Sequence, residues 1–489
     1  MKLIDKIKGE IHMKSKKLLL KQLIPVIVVI LTVMFIWLCT SKNDSDESTG
    51  NTTESSLVKV ITEHSTTVET TEQDSMSQET TSEESSSEET REQKSETEGT
   101  AYSESTTVQN FQTNPPEIQT TEAVTIPNTE PPEPDTSIGT IQPPPVLSDN
   151  GIFSGYYVVA TARMQTMTPD EKIGQMLFAR CPSGNAVEIA RQYHLGGYVL
   201  FGRDFQGKTA DEVKNNISSY RTSQEIPMVI ATDEEGGRVV RVSSNPLLSD
   251  EAFPSPRDIF NSGGMELIKS KEIKKAEMLS GLYIDTNFAP VCDISVNESD
   301  FMYPRSLGQD AGITADFVRN VTHISQSRGV SATLKHFPGY GDNVDTHTGI
   351  AIDTRDYNTF VNNDFIPFQA GINSGVHLVL ISHNIVNCMD STKPASISKP
   401  VHNILRNELG FTGIIVTDDL SMDAIKLYSG EYPPTVTAVL AGNDMLIISD
   451  IEASFNEIKN AVNNGTIEQA VIDRAVVRIL AWKYAKGLM

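Results

Sequence analysis

Apolar positions along this chain follow three patterns. Residues 23–39, LIPVIVVILTVMFIWLC, form one unbroken apolar run. From about residue 41 to 150 apolar positions are sparse, and the chain is a mixture of Ser, Thr, Glu and Pro. From 151 to 489 short apolar runs alternate with polar stretches: QMLFA (175–179), YVLF (198–201), PMVIAT (227–232), NFAPV (287–291), SATLK (331–335), HLVLIS (377–382), GIIVT (413–417) and DMLIIS (444–449). Most of these runs are continuous rather than alternating, as in strands of a parallel sheet covered on both faces. Between them lie helical spacings: GNAVEIARQYH, ADEVKNNISSYRT, ADFVRNVTHISQSRG and VHNILRNELG. Eight strand-plus-helix units predict an α/β (β/α)₈ barrel. A doubly wound open sheet, which usually has fewer strands, is the second choice.

Charge sharpens the division. The formal net charge of the 489 residues is −24, and residues 41–150 account for −19 of it. Few apolar residues and high charge predict a disordered linker over 41–150. A flexible chain of that length spans about 55–60 Å. Residues 1–21 carry seven lysines ahead of the apolar run. That pairing predicts a basic cytoplasmic segment (1–21), a membrane anchor (22–40) and a catalytic domain held outside the cell membrane, with cleavage of the helix as a signal peptide the alternative. The acidic balance argues against nucleic acid as a partner. Cys181, Cys292 and Cys388 have no close spacing, so neither a disulfide framework nor a cysteine zinc site is expected in 151–489.

Charged residues follow the strand runs. Asp233, Glu234, Glu235 and Arg238 come after PMVIAT, Asp293 after NFAPV, Lys335 and His336 close SATLKH, His383 follows HLVLIS, and Asp418 and Asp419 follow GIIVT. In a barrel these strand ends share one face and line one pocket. The stretch 335–347, KHFPGYGDNVDTH, holds a lysine, two histidines and two aspartates. Its proline and two glycines rule out a helix, so it reads as a loop over that pocket. Asp418 and Asp419 cannot be separated by position, since either could cap the following turn. His383 could equally bond a rim carbonyl, Asp293 could fix a loop, and Arg238 or Arg241 could be a structural ion-pair partner.

The motifs MTPDEKIGQMLF, GGYVLFGRD, DEEGGRVVR, PRSLG, KHFPGYGD, DTH, PASIS and FTGIIVTDDLSM together resemble the family 3 glycoside hydrolases, in particular their β-N-acetylglucosaminidase branch. The resemblance covers nearly all of 167–450 and implies a monomeric barrel acting on a carbohydrate substrate. It implies a retaining double displacement without metal or cofactor, with Asp418 as nucleophile and His347, oriented by Asp345, as acid and base. It also implies sugar contacts from Asp233, Arg238, Arg241, Arg305, Lys335 and His336. Gly339 and Gly341 would let the dyad loop fold over the sugar. A second α/β domain found in some members is not expected. Three departures stand out: Tyr340 replaces a histidine, the segment from Lys335 to Asp345 is one residue shorter than the commoner form, and Thr346 replaces a serine. Other readings are a phosphorylase or β-glucosidase of the same family, a metal-dependent barrel hydrolase using His336, Asp345 and His347, and a non-catalytic wall-binding protein.

Overall fold

Local chemistry starts the elements. Thr168 and Thr209 each accept a hydrogen bond from the backbone of a glutamate three residues on, Glu171 and Glu212, and each glutamate bonds back to the threonine N–H. These capping boxes satisfy N–H groups that a helix start leaves open, and they set the beginnings of helices Pro169–Gln175 and Ala210–Thr222.

The computed structural model describes residues 147–343, 351–421, 425 and 427–489. The segments 1–21 and 22–40, and nearly all of 41–150, lie outside the described residues, as do Asp345 and His347. Among the described residues no helix is long and apolar enough to cross a membrane.

Eight parallel strands build the sheet among the described residues: β1 (Leu177–Arg180), β2 (Gly197–Leu200), β3 (Val229–Thr232), β4 (Thr286–Asn287), β5 (Ser331–Phe337), β7 (Leu378–Ile381), β9 (Ile414–Thr417) and β10 (Leu446–Ile448). The short β6 (Ile352–Asp353) and β8 (Ile385–Val386) pair with each other on one side. The order β10-β1-β2-β3-β4-β5-β7-β9 is closed by a parallel bridge from Val416 to Met445, giving the expected barrel. Register runs from Leu177 opposite Leu446, through Ala231 opposite Thr286, to Ile381 opposite Thr417. Strands β2, β3, β7 and β9 are buried at every position, which is why their sequences run apolar without alternation.

Two elements depart from expectation. Of NFAPV (287–291) the ladder takes in only Asn287, together with the preceding Thr286, because Pro290 has no N–H to donate; pairing resumes at a bridge from Val291 to Lys335. In VHNILRNELG the α-helix ends at Asn403 and widens to a π-helix over Ile404–Glu408. The strand N-termini are also charged. Asp444 accepts from Arg406 and Arg478, both at 2.6 Å, and Lys483 donates to Gln175 at 2.6 Å. These contacts occupy Asp444 and Lys483 at the end of the barrel opposite the C-terminal strand ends.

Candidate active site

At the C-terminal end of the strands a cavity of about 400 Å³ opens, lined by Asp233, Glu235, Arg241, Arg305, Lys335, His336 and Asp418 among others. Val199, Leu380 and Ile447 provide apolar wall. Residues from β3, β5 and β9 thus meet although they are far apart in sequence.

The most strongly coupled part is a charge lattice. Lys335, buried at the end of β5, donates to Asp233 at 2.7 Å and to Glu235 at 2.6 Å. Arg305 grips Glu235 with both arms of its fork, at 2.7 and 3.0 Å. Burial works to raise the Glu235 carboxyl, but Lys335 and Arg305 override it and hold the group far below the usual range. Burial likewise works against the Lys335 charge, while Asp233 and Glu235 raise its pKa. Glu235, Lys335 and Arg305 stay ionised at neutral pH. Their remaining hydrogen-bonding capacity is fixed in direction, which suits recognition of neighbouring hydroxyls.

His336 is fixed on both sides. Its Nδ1 lies 2.7 Å from Asp293 and its Nε2 lies 3.2 Å from an Arg305 nitrogen. A guanidinium only donates, so Nε2 accepts and Nδ1–H donates to Asp293. Asp293 also accepts from the Tyr340 N–H at 2.8 Å, tying the start of the 338–343 loop to β5. The Tyr340 ring packs edge-on to His336, 5.8 Å between centroids, and against Phe301. That packing is what the histidine-to-tyrosine departure provides.

Asp418 follows β9, with its N–H on the Ile381 carbonyl and its Oδ1 accepting the Asp419 N–H at 2.8 Å. Burial works to raise its pKa, but nearby His383, His336 and Lys335, with the Asp419 N–H, bring it below the ordinary carboxylate value. It is an ionised carboxylate facing the cavity. Asp419 instead accepts from Ser421 N–H and the Ser449 hydroxyl. His383 bonds the Asp419 carbonyl at 2.9 Å and Ser396 at 2.7 Å, a support beneath the aspartate pair.

Glu234, buried after β3, accepts the N–H groups of Arg241 and Val242 at 2.7 Å each, and the Ser243 hydroxyl. This folds 234–243 back on itself and brings Arg241 to the cavity. Arg238, only three residues earlier, is exposed and faces a separate groove with Arg257, Asp258 and Tyr303. The structure does not bring it to the other sugar-contact candidates. Among the described residues neither Arg238 nor Arg241 makes a side-chain ion pair, so the salt-bridge alternative finds no partner there.

Gly339 and Gly341 have φ of 126° and 59°. A Cβ on Gly339 would strike Asp364, and one on Gly341 would lie 2.6 Å from the Arg355 guanidinium carbon. Arg355 bridges Asp353 and Asp364 and donates to the Gly339 carbonyl at 3.3 Å. Both glycines therefore fit the base of the 335–347 segment onto a buried charge cluster, beyond any part in loop closure. Asp345 and His347 lie past this base, outside the described residues.

Among the described residues no group of three or more His, Cys, Asp or Glu is arranged to hold a metal ion. His336 could ligate one only by giving up Arg305 or Asp293. Arg180 and Phe201 also line the cavity and were not singled out from sequence, while Glu235 was read there only as one of the charges that follow PMVIAT. Arg180 closes β1, so the charge-at-strand-end pattern contained the signal.

Residues 168–482 match the glycosyl hydrolase family 3 N-terminal domain. A β-hexosaminidase from Nitrosomonas eutropha is 31% identical over 268 residues, 54% of this chain and 76% of that protein. The β-hexosaminidase LpqI of Mycobacterium tuberculosis is 28% identical over 334 residues, 65% of this chain and 83% of that protein. Among solved structures, a family 3 β-N-acetylglucosaminidase from Paenibacillus sp. superposes with a TM-score of 0.61 at 29% identity, covering 66% of this chain and 63% of that one. The chain belongs to glycosyl hydrolase family 3.

Proposed function

We propose that the protein is an exo-acting, retaining β-N-acetylglucosaminidase that removes terminal β-linked N-acetylglucosamine from cell-wall fragments or related glycans. The observation that carries this reading is the ionised Asp418 carboxylate in one cavity with the Asp233, Glu235, Arg305, Lys335 and His336 lattice. The lattice holds the hydroxyls of a terminal pyranose, and Asp418 attacks its anomeric carbon to form a glycosyl ester that water then opens. The β-hexosaminidase and β-N-acetylglucosaminidase relatives support the sugar assignment. His347, oriented by Asp345, protonates the departing oxygen and then takes a proton from water. A pKa near 6.5 suits a histidine to both steps at neutral pH. The basic segment and apolar run at 1–40 support display from the outer face of a membrane on the acidic linker.

A panel of aryl β-glycosides tests the activity, with product anomers read by NMR in phosphate and in phosphate-free buffer. Release of the β-anomer of free N-acetylglucosamine, with other sugars turned over poorly, is the expected result. Inversion, formation of the sugar 1-phosphate or indifference to the acetamido group would refute it.

A further inference from the structure

The neighbouring strands β10 and β1 reach the catalytic cavity with Ile447 and Arg180, and within two residues both lead into a second hollow of about 640 Å³. Its wall begins at Pro182 and Ser449, and the Ser449 hydroxyl donates to Asp419 at 3.3 Å, beside Asp418. The two hollows thus adjoin at the aspartate pair. Asp233, Glu235, Arg305 and Lys335 belong to the β3–β5 side of the barrel mouth, whereas Asp418 follows β9, which is bridged to β10. A pyranose held by its hydroxyls on the first side presents its anomeric carbon toward Asp418. Whatever that carbon carries continues toward the rim of β10 and β1.

The lining of the second hollow suits a sugar. Tyr193, the last residue of helix Ala186–Tyr193, is half-buried, and its ring is held edge-on to Phe455 with 5.3 Å between centroids. Ile189 and Ile451 add apolar wall, and the exposed Gln192 amide and Glu452 carboxylate stand at the margin. An aromatic face with a few polar groups around it fits the C–H face and the equatorial hydroxyls of a pyranose. Asp450 is committed to the Ala453 N–H at 3.1 Å as a helix cap. Burial, then the Glu452 and Asp450 charges, push the Tyr193 hydroxyl above its ordinary pKa, and among the described residues no cation lines the hollow to offset those charges. We propose that this hollow is a distal leaving-group subsite, where Tyr193 stacks on an uncharged pyranose one unit beyond the sugar joined to the cleaved bond. This rests on the glycosidase reading of the cavity. It makes the preferred substrate an oligosaccharide of neutral N-acetylhexosamine units, since a carboxylate at that position would face Glu452 and Asp450.

The test compares 4-nitrophenyl β-N-acetylglucosaminide with the β-1,4-linked disaccharide and trisaccharide of N-acetylglucosamine, and with the same trisaccharide carrying a 3-O-lactyl carboxylate on its third residue. Wild type should turn over the neutral trisaccharide with a kcat/KM about fivefold or more above that of the disaccharide, mainly through KM. Tyr193→Ala should abolish that advantage and leave the disaccharide and the nitrophenyl glycoside within about twofold of wild type, while Tyr193→Phe keeps it. Glu452→Gln, an exposed change, should raise the turnover of the carboxylate trisaccharide relative to the neutral one. No advantage of the trisaccharide in wild type, equal losses on every substrate in Tyr193→Ala, or a preference for the carboxylate trisaccharide would overturn the proposal. The wild-type comparison and Glu452→Gln decide the matter even where Tyr193→Ala folds poorly. Absence of turnover on all four substrates would instead refute the glycosidase reading. Calorimetry reads the hollow separately: the trisaccharide should bind wild type more tightly than the disaccharide does, and Tyr193→Ala should equalise the two.

Discussion

Replacing Glu235 by glutamine removes the one carboxylate that two buried cations share. Its side chain is 1% exposed, with Lys335 Nζ at 2.6 Å and Arg305 at 2.7 and 3.0 Å. Glutamine keeps the shape but turns an NH₂ toward donors that cannot accept. Removing one partner of a buried pair costs about 3–5 kcal/mol. Because Lys335 retains Asp233, the lower end, about 3 kcal/mol, is expected. That is a large part of the roughly 5–15 kcal/mol that holds a protein folded. The pH dependence follows from the depressed carboxyl. Its stabilisation is fully present above the unfolded glutamate value of about 4.3 and is lost as pH falls toward the lower folded value. Urea denaturation of both proteins at pH 7 and pH 3.5 should show a gap of about 3 kcal/mol at neutral pH that narrows in acid. A gap under about 1 kcal/mol at pH 7, or one that does not narrow, would refute the view that this lattice stabilises through Glu235.

Gly339→Ala should lower stability by more than about 1 kcal/mol and reduce turnover, since φ is positive there and the new methyl meets Asp364; wild-type melting and kinetics would refute it. His347→Ala should slow glycosides with poor leaving groups about 100-fold or more while activated aryl glycosides lose far less. Equal losses on both classes would rule out the acid role. Burial pushes the Lys483 ammonium down to about 7, so between pH 7 and about 10 the unfolded chain binds a proton that the folded one does not. Folding should therefore strengthen as pH rises through that window, and Lys483→Met should flatten the trend in denaturant melts. An unchanged slope in the variant would count against the assignment.

The barrel was legible because strands buried on both faces must be apolar throughout, and eight such runs survive in the sequence from QMLFA to DMLIIS. The charged strand ends were legible for a related reason: polar groups interrupting those runs need solvent, a partner or a ligand. The weakness of that argument shows at the other end of the barrel, where Asp444 and Lys483 are ionisable too, yet occupied by Arg406, Arg478 and Gln175. Sequence could not tell paired from available charge. Nor could it separate Arg238 from Arg241, because their directions depend on a turn that Glu234 folds through the backbone N–H groups of Arg241 and Val242. Glu235 stood in plain view inside DEEGGR, but its value lies in contacts with Arg305 and Lys335, 70 and 100 positions away in round numbers. Asp418 and Asp419 differ only in three dimensions, one facing the cavity electrostatics and the other holding the turn to Ser421.

Mass spectrometry of a trapped intermediate tests the central claim most directly. A 5-fluoro glycosyl fluoride of N-acetylglucosamine slows ester hydrolysis enough for the covalent species to be digested and sequenced. The account predicts one glycosyl ester, on Asp418. An ester on Asp419 or any other carboxylate, or turnover that inverts the anomeric centre with no ester formed, would contradict it.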